Sequence, residues 1–227
     1  MEAPSMIEGS FFIEELGLKY YVGITEIKFD LTKLLKDNET RDEEDVIKWL
    51  FSTSEILQIK HPESTIQFIS NKYVLNQDHL YVACYYMEKA FLNKTHISNK
   101  KNIELLLYLS TNRQISRAIE SFGISKNIIK EEKLILCIIS PKNNLNIINK
   151  EVLHLLKANE VKTTVNDLTT DKLNRIINHF EISETQIRSV QNSNKKSDEL
   201  GERNNFDVLA LSIFDLICEK MAILNLE

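Results

Sequence analysis

The first clear hydrophobic pattern along the chain is near-alternation. Tyr21, Val22, Ile24, Ile27 and Phe29 predict a strand, and Asp30 stands where it can cap a helix behind it. The run Arg41-Asp42-Glu43-Glu44-Asp45 precedes Val46, Ile47, Leu50 and Phe51, marking a solvated helix start with carboxylates at the positive end of its dipole. Thr65 to Ile69, shortly after Pro62, reads as a second strand. Asp78 then sits as the N-cap of a helix whose apolar face carries Leu80, Ala83, Met87, Ala90 and Phe91. Ile103 to Leu109 is apolar at nearly every position, so periodicity leaves a buried helix and a buried strand equally open; it is core in either case.

Thr111 and Gln114 have the spacing of a capping box, in which Thr111 accepts from the Gln114 amide. Ile115, Ala118, Ile119 and Phe122 follow at i, i+3, i+4 and i+7, with Gly123 as the expected left-handed stop. Leu134 to Ile139 is a continuous apolar strand closed by Pro141, suited to the middle of a sheet. Asn149 or Lys150 begins a helix through Val152, Leu155 and Leu156, and Thr169 to Asp171 opens another through Leu173, Ile176, Ile177 and Phe180. Between Ser189 and Asn205 only Val190 and Leu200 are sizeable aliphatics, which predicts a mobile loop; Asp207 to Met221 is a closing helix, apolar over a wide arc. With no repeat and no two-domain break, these elements predict an α+β fold: one domain over 9–227, a small, mostly antiparallel sheet packed with several helices, behind a flexible tail at 1–8.

Composition narrows the function classes. Hydrophobic residues at 43% and charged residues at 27% describe a chain that can bury a core without a metal or disulfide staple. Cys84, Cys137 and Cys218 are odd in number and set in apolar strings, as reduced core thiols of an intracellular protein would be. The N-terminal MEAPSMIEGS lacks the basic and apolar regions of a secretion signal, and runs such as LLLYL fall far short of the ~18 residues that span a bilayer. The expectation is a soluble protein of the cytoplasm, and also of the nucleus if the source is eukaryotic.

Catalytic signatures are missing. The chain has no phosphate-binding glycine motif, no nucleophile elbow, no zinc-spaced Cys or His, and only five glycines, while its five histidines are scattered singly. Net charge −5 argues against indiscriminate coating of nucleic acid. One span departs from that balance: Lys89, Lys94, Lys100, Lys101, Arg113, Arg117 and Lys126 stand against Glu104 and Glu120, giving +5 between Lys89 and Lys126. This is either an anion-binding patch or a solvated face that offsets acidic segments elsewhere. Arg113, placed by the capping box in a first helical turn, opposes the dipole there, so it either grips a phosphate or pairs with a neighbouring carboxylate.

The stretch from Glu104 to Ile124, ELLLYLSTNRQISRAIESFGI, resembles the central motif of the TPRKB family, the kinase-associated subunit of the KEOPS complex. The Asp78-His79-Leu80 helix start with Ala83 and Ala90 is similar to that family's preceding helix, and Leu216 to Ala222 to its closing one, so the likeness covers most of 20–226. The acidic segment at 42–45 and the loop at 189–205 are longer than a compact member needs. The resemblance implies an α+β subunit without catalytic residues, cofactor, metal or membrane contact. Its partners would be the KEOPS kinase/ATPase subunit and the 3′ CCA end of tRNA, with other KEOPS subunits reached indirectly, in support of N6-threonylcarbamoyladenosine formation. The implied tRNA contacts are Arg113, Gln114 and Ile115 with Lys89, Lys100, Lys101 and Arg117. The closing helix, through Ile217 and Met221, is the expected kinase surface unless its whole arc is core. The alternative function is a purely structural kinase adaptor that binds no RNA.

Overall fold

Six consecutive apolar side chains, Leu134 to Ile139, make β4 (Lys133–Ser140) a strand that must be covered on both faces, and the fold is arranged around that demand. The structure, a computed structural model, describes residues 6–37, 42–194 and 205–225. β4 lies between β2 (Leu18–Lys28) and β3 (Thr65–Ile69), while β1 (Ile7–Ile13) and the short β5 (Asn159–Val161) both pair with β2. Every pairing is antiparallel, with Tyr21 opposite Ser140 and Lys28 opposite Lys133 across the central pair.

The period-two alternation of strands sends Ile135, Cys137 and Ile139 to one face with Tyr20, Val22 and Ile24, and Leu134, Leu136 and Ile138 to the other with Ile27, Ile66 and Phe68. Two helical layers cover them. The first holds α3 (Gln77–Asn93), α4 (Lys101–Ser110), α5 (Ile115–Phe122), α8 (Thr170–His179), α9 (Glu184–Asn194) and α10 (Asn205–Ile223). The second holds α1 (Leu31–Asp37), α2 (Glu43–Lys60), α6 (Lys126–Lys130) and α7 (Leu145–Leu156). The architecture is the expected α+β class, with the sheet sandwiched rather than covered on one side.

Asp30 and Asp42 cap α1 and α2, Asp30 accepting from the Lys33 amide at 2.9 Å and Asp42 from those of Glu44 and Asp45. Thr169 caps α8 through the Lys172 amide. The run 103–109 is helical and buried throughout its C-terminal half, as part of α4.

Several boundaries differ from the sequence reading. The N-cap of α3 is Asn76, which accepts from the His79 amide at 3.0 Å, so Asp78 falls inside the first turn. α7 starts at Leu145, a full turn before Asn149, because Leu145 and Ile148 face the second core cluster. Strand β1 begins at Ile7, inside the expected tail, and α9 runs to Asn194, inside the expected loop; 195–204 lie outside the described residues.

His79 shows how the first layer closes. It is fully buried, and its Nδ1 accepts from the Leu75 amide at 3.2 Å. Its Nε2 must therefore carry the proton it donates to the Leu109 carbonyl at 3.2 Å, bridging the ends of α3 and α4 as a neutral imidazole. Burial pushes its pKa down to about 4 from 6.5. The unfolded chain then binds this proton at a pH where the folded chain does not, so stability is lost as pH falls from 6.5 toward 4. Urea unfolding at pH 7 and pH 5 should show the wild type about 2 kcal/mol less stable at pH 5 from this group, a difference that His79→Gln removes.

Candidate functional site

The sequence points to the α4–α5 corner, and the chain builds that corner in a way the capping-box reading does not anticipate. Thr111 closes α4 in the left-handed region, φ 48°, with its amide donating to Tyr108 and that of Asn112 to Leu107. With Thr111 committed there, the side chain of Asn112 takes over the next turn, accepting from the Gln114 amide at 2.9 Å. α5 begins only at Ile115, and Arg113 sits in the connecting turn rather than in a helix. Gly123 likewise departs from expectation: its backbone is extended, and glycine is needed because a Cβ would lie 2.6 Å from the Ile119 carbonyl oxygen.

Arg113 faces a carbonyl in place of the carboxylate that was one of its two expected partners. Its Nη1 donates to the Leu224 carbonyl at 2.7 Å, gripping the C-terminal end of α10, where a cation is favoured. Asn225 donates to the Tyr108 hydroxyl beside it, so the end of α10 is tied to both α4 and the turn before α5. Of the α5 stripe, Ala118 and Phe122 are buried and Ile119 is half-buried, but Ile115 stays 42% exposed beside exposed Gln114 and Arg117. Ile115 is thus apolar surface, not core.

The basic span is largely neutralised by the fold. Lys89 lies 3.6 Å from Glu15, Lys100 3.1 Å from Glu55, Lys101 2.6 Å from Glu88 and Lys126 3.1 Å from Glu44. Four of the seven cations therefore face carboxylates that are remote in sequence, while Arg113, Gln114, Ile115 and Arg117 are each exposed along the turn into α5 and its first turn, as is Lys94 after α3. Lys89 is also hydrogen-bonded to the Tyr85 hydroxyl, and Lys101 compensates a Glu88 that is only 3% exposed. Glu104, a landmark of the sequence motif, is wholly buried and accepts from the amides of Ile97 and Ser98, holding the α3–α4 loop.

The expected kinase residues are corrected by packing. Ile217 is 0% and Met221 1% exposed, both turned into the first core cluster, so neither offers surface in this chain. The apolar arc of α10 is wider than its buried part, however, and Val208, Leu211, Cys218 and Ala222 follow on its outer side with Asp215 among them, all half-buried or exposed. The sequence carries this stripe, but so wide an apolar arc does not reveal which part of it turns inward.

Cys84 and Cys137 are buried thiols with sulfurs 3.8 Å apart, and burial pushes the Cys218 thiol up to about 11. Among the described residues no group of three or more His, Cys, Asp or Glu side chains could hold a metal, and no helix is long and apolar enough to cross a membrane.

The sheet between two helical layers, an exposed turn at the α4–α5 corner and a half-covered helix beside it describe an α+β fold. The family model of kinase binding protein CGI-121 matches residues 39–224, which span the sandwich from α2 to the end of α10. The chain belongs to this family, the TPRKB family of the KEOPS complex that the sequence already resembles. Comparison with curated proteins gave no match.

Lys101→Ala should strand the buried Glu88 carboxylate and cost about 2–3 kcal/mol, near the lower end for a broken buried pair because Lys101 is itself a third exposed. Lys100→Ala, at an exposed pair, should change stability by less than about 1 kcal/mol. Urea denaturation of both variants checks the contrast, and equal effects would mean that Glu88 is not held by Lys101.

Proposed function

We propose that the chain is a non-catalytic KEOPS subunit that binds the kinase/ATPase subunit through the outer stripe of α10. In this reading it also binds the 3′ CCA end of tRNA at the turn from Arg113 to Arg117, supporting N6-threonylcarbamoyladenosine formation. The carrying observation is α10: its apolar arc is wider than the part that is buried, so Val208, Leu211 and Cys218 stay half-covered on its outer side. A family of kinase-binding proteins supplies the partner for the other arc.

The RNA contact rests on the exposed group at the corner. Ile115 offers an apolar surface for an unstacked base, with Gln114 beside it and Arg113 in the turn before it, while Arg117, two residues on, stands on the other side of α5. Lys89, Lys100 and Lys101 drop back to a secondary role, since each already faces a carboxylate. That same neutralisation favours the second reading, a kinase adaptor without RNA binding.

Leu211→Glu is expected to abolish capture of the purified KEOPS kinase while leaving the melting temperature within a few degrees of wild type, because it alters the half-covered arc only. Ile217→Ala is expected to do the reverse, lowering stability by about 2–5 kcal/mol while the folded fraction still binds the kinase. Full binding by Leu211→Glu would move the kinase surface off α10.

For RNA, Ile115→Glu is a cleaner probe than Arg113→Glu, which also releases the end of α10. It should weaken binding of intact tRNA by about 1–3 kcal/mol, the range for one stacked base, and leave tRNA lacking CCA unaffected. Equal binding of both tRNAs by both proteins would leave the adaptor reading.

A further inference from the structure

β1 ends the sheet. Its inner edge pairs with β2 without a break from Ile7 opposite Ile24 to Ile13 opposite Leu18, and among the described residues no backbone group bonds its outer edge. Sheets usually blunt such an edge with a lysine, a proline, a bulge or a covering segment. The strand IEGSFFI has neither lysine nor proline, and its register has no bulge. Phe12 is left 54% exposed.

Beside the edge runs an open groove of about 320 Å³, walled by Gly9, Ser10 and Phe11 of β1 and by Tyr81, Val82 and Tyr85 of α3. Gly9 leaves its floor bare: a Cβ there would fall 2.6 Å from the Tyr81 ring, so ring and strand touch with no side chain between them. Phe11 stacks on Tyr20 at 5.5 Å and meets Tyr85 edge-on at 5.7 Å, which fixes the apolar end of the groove. A bare glycine flanked by aromatic rings on an edge strand is completed by a large apolar side chain from a strand laid beside it.

The strand supplies that side chain itself. In an antiparallel pairing of two copies of β1 about a two-fold axis at Ser10, Ile7 faces Ile13, Glu8 faces Phe12 and Gly9 faces Phe11, so each Phe11 enters the groove of the other copy. Charge and packing choose this register. A slip by one residue turns the apolar face of one copy outward. A slip by two in one direction sets Gly9 against Gly9 and leaves both grooves bare, and in the other it sets Glu8 against Glu14. Centred on Ser10, the two Glu8 side chains stand at opposite ends of the pairing, about 13 Å apart along the strand.

We propose that β1 is a self-association edge: two copies of this chain join their sheets through antiparallel β1 strands centred on Ser10, with Phe11 of each copy seated in the groove between β1 and α3 of the other. The edge is separate from α10 and from the α4–α5 corner, so the pairing holds whether or not those surfaces bind a kinase or RNA.

Sedimentation velocity of the full chain over about a hundredfold range of concentration is expected to show a monomer passing to a dimer. Ser10 is exposed and stands on the axis, so Ser10→Lys and Ser10→Glu each set like charges opposite one another. Each is expected to raise the dimer dissociation constant at least about tenfold, with a melting temperature close to that of the wild type. An equimolar mixture of the two variants is expected to dimerise again, because lysine then faces glutamate. A wild type that stays monomeric over the whole range would overturn the self-association and leave the edge to an extended segment of another protein. A dimer that both variants keep at wild-type strength, or that their mixture does not restore, would overturn the pairing at Ser10.

Discussion

The structure depends on β4 being apolar on both faces. A strand with only one buried face would accept one helical layer, and the chain would then have no reason to fold α1, α2, α6 and α7 behind the sheet. Because Leu134 to Ile139 are all buried, α3, α4, α5 and α8 to α10 are pressed onto one side as a rigid layer. The α4–α5 corner is assembled entirely within that layer. Its rigidity comes from polar ties as well as from burial: His79 joins α3 to α4, Glu104 fixes the loop between them, and Arg113 with Asn225 ties the end of α10 to the α4–α5 corner.

Charge is organised by the same layering. The excess of lysine between Lys89 and Lys126 is offset by carboxylates from the β1–β2 turn, from α2 and from α3 itself, which tertiary structure alone brings into range. A net charge counted along the sequence therefore overstates the patch.

The legibility of the chain follows from the range of the interactions involved. The strands at Thr65 and Leu134, the cap at Asp30, the helix starts at 42–45 and 169–171, and the family motif from Glu104 to Ile124 are set by neighbours within a few residues, and each is legible in the sequence. The capping box does not form because Thr111 closes α4 in the left-handed region, and α5 starts at Ile115 without a side-chain cap, the Asn112 side chain holding the turn before it. Ile217 and Met221 read as candidate surface because the apolar arc of α10 is wide, and periodicity has no means of choosing which part of it is buried. Of the two partners expected for Arg113, the carboxylate gives way to a carbonyl 111 residues away. Of the expected RNA residues, the exposed group at 113, 114, 115 and 117 persists, while the lysines are drawn into ion pairs that the sequence alone does not show.

The Arg113 contact to Leu224 links the two proposed surfaces, since the turn that would meet RNA also holds the end of the helix that would meet the kinase. The central claim is that α10 presents the docking face, and amide hydrogen exchange of the chain with and without the KEOPS kinase tests it most directly. The account predicts slowed exchange along α10 and at the adjoining α4–α5 corner, with α2 and α7 on the opposite layer unchanged. Protection confined to α2 and α7, with α10 exchanging as in the free chain, would contradict it.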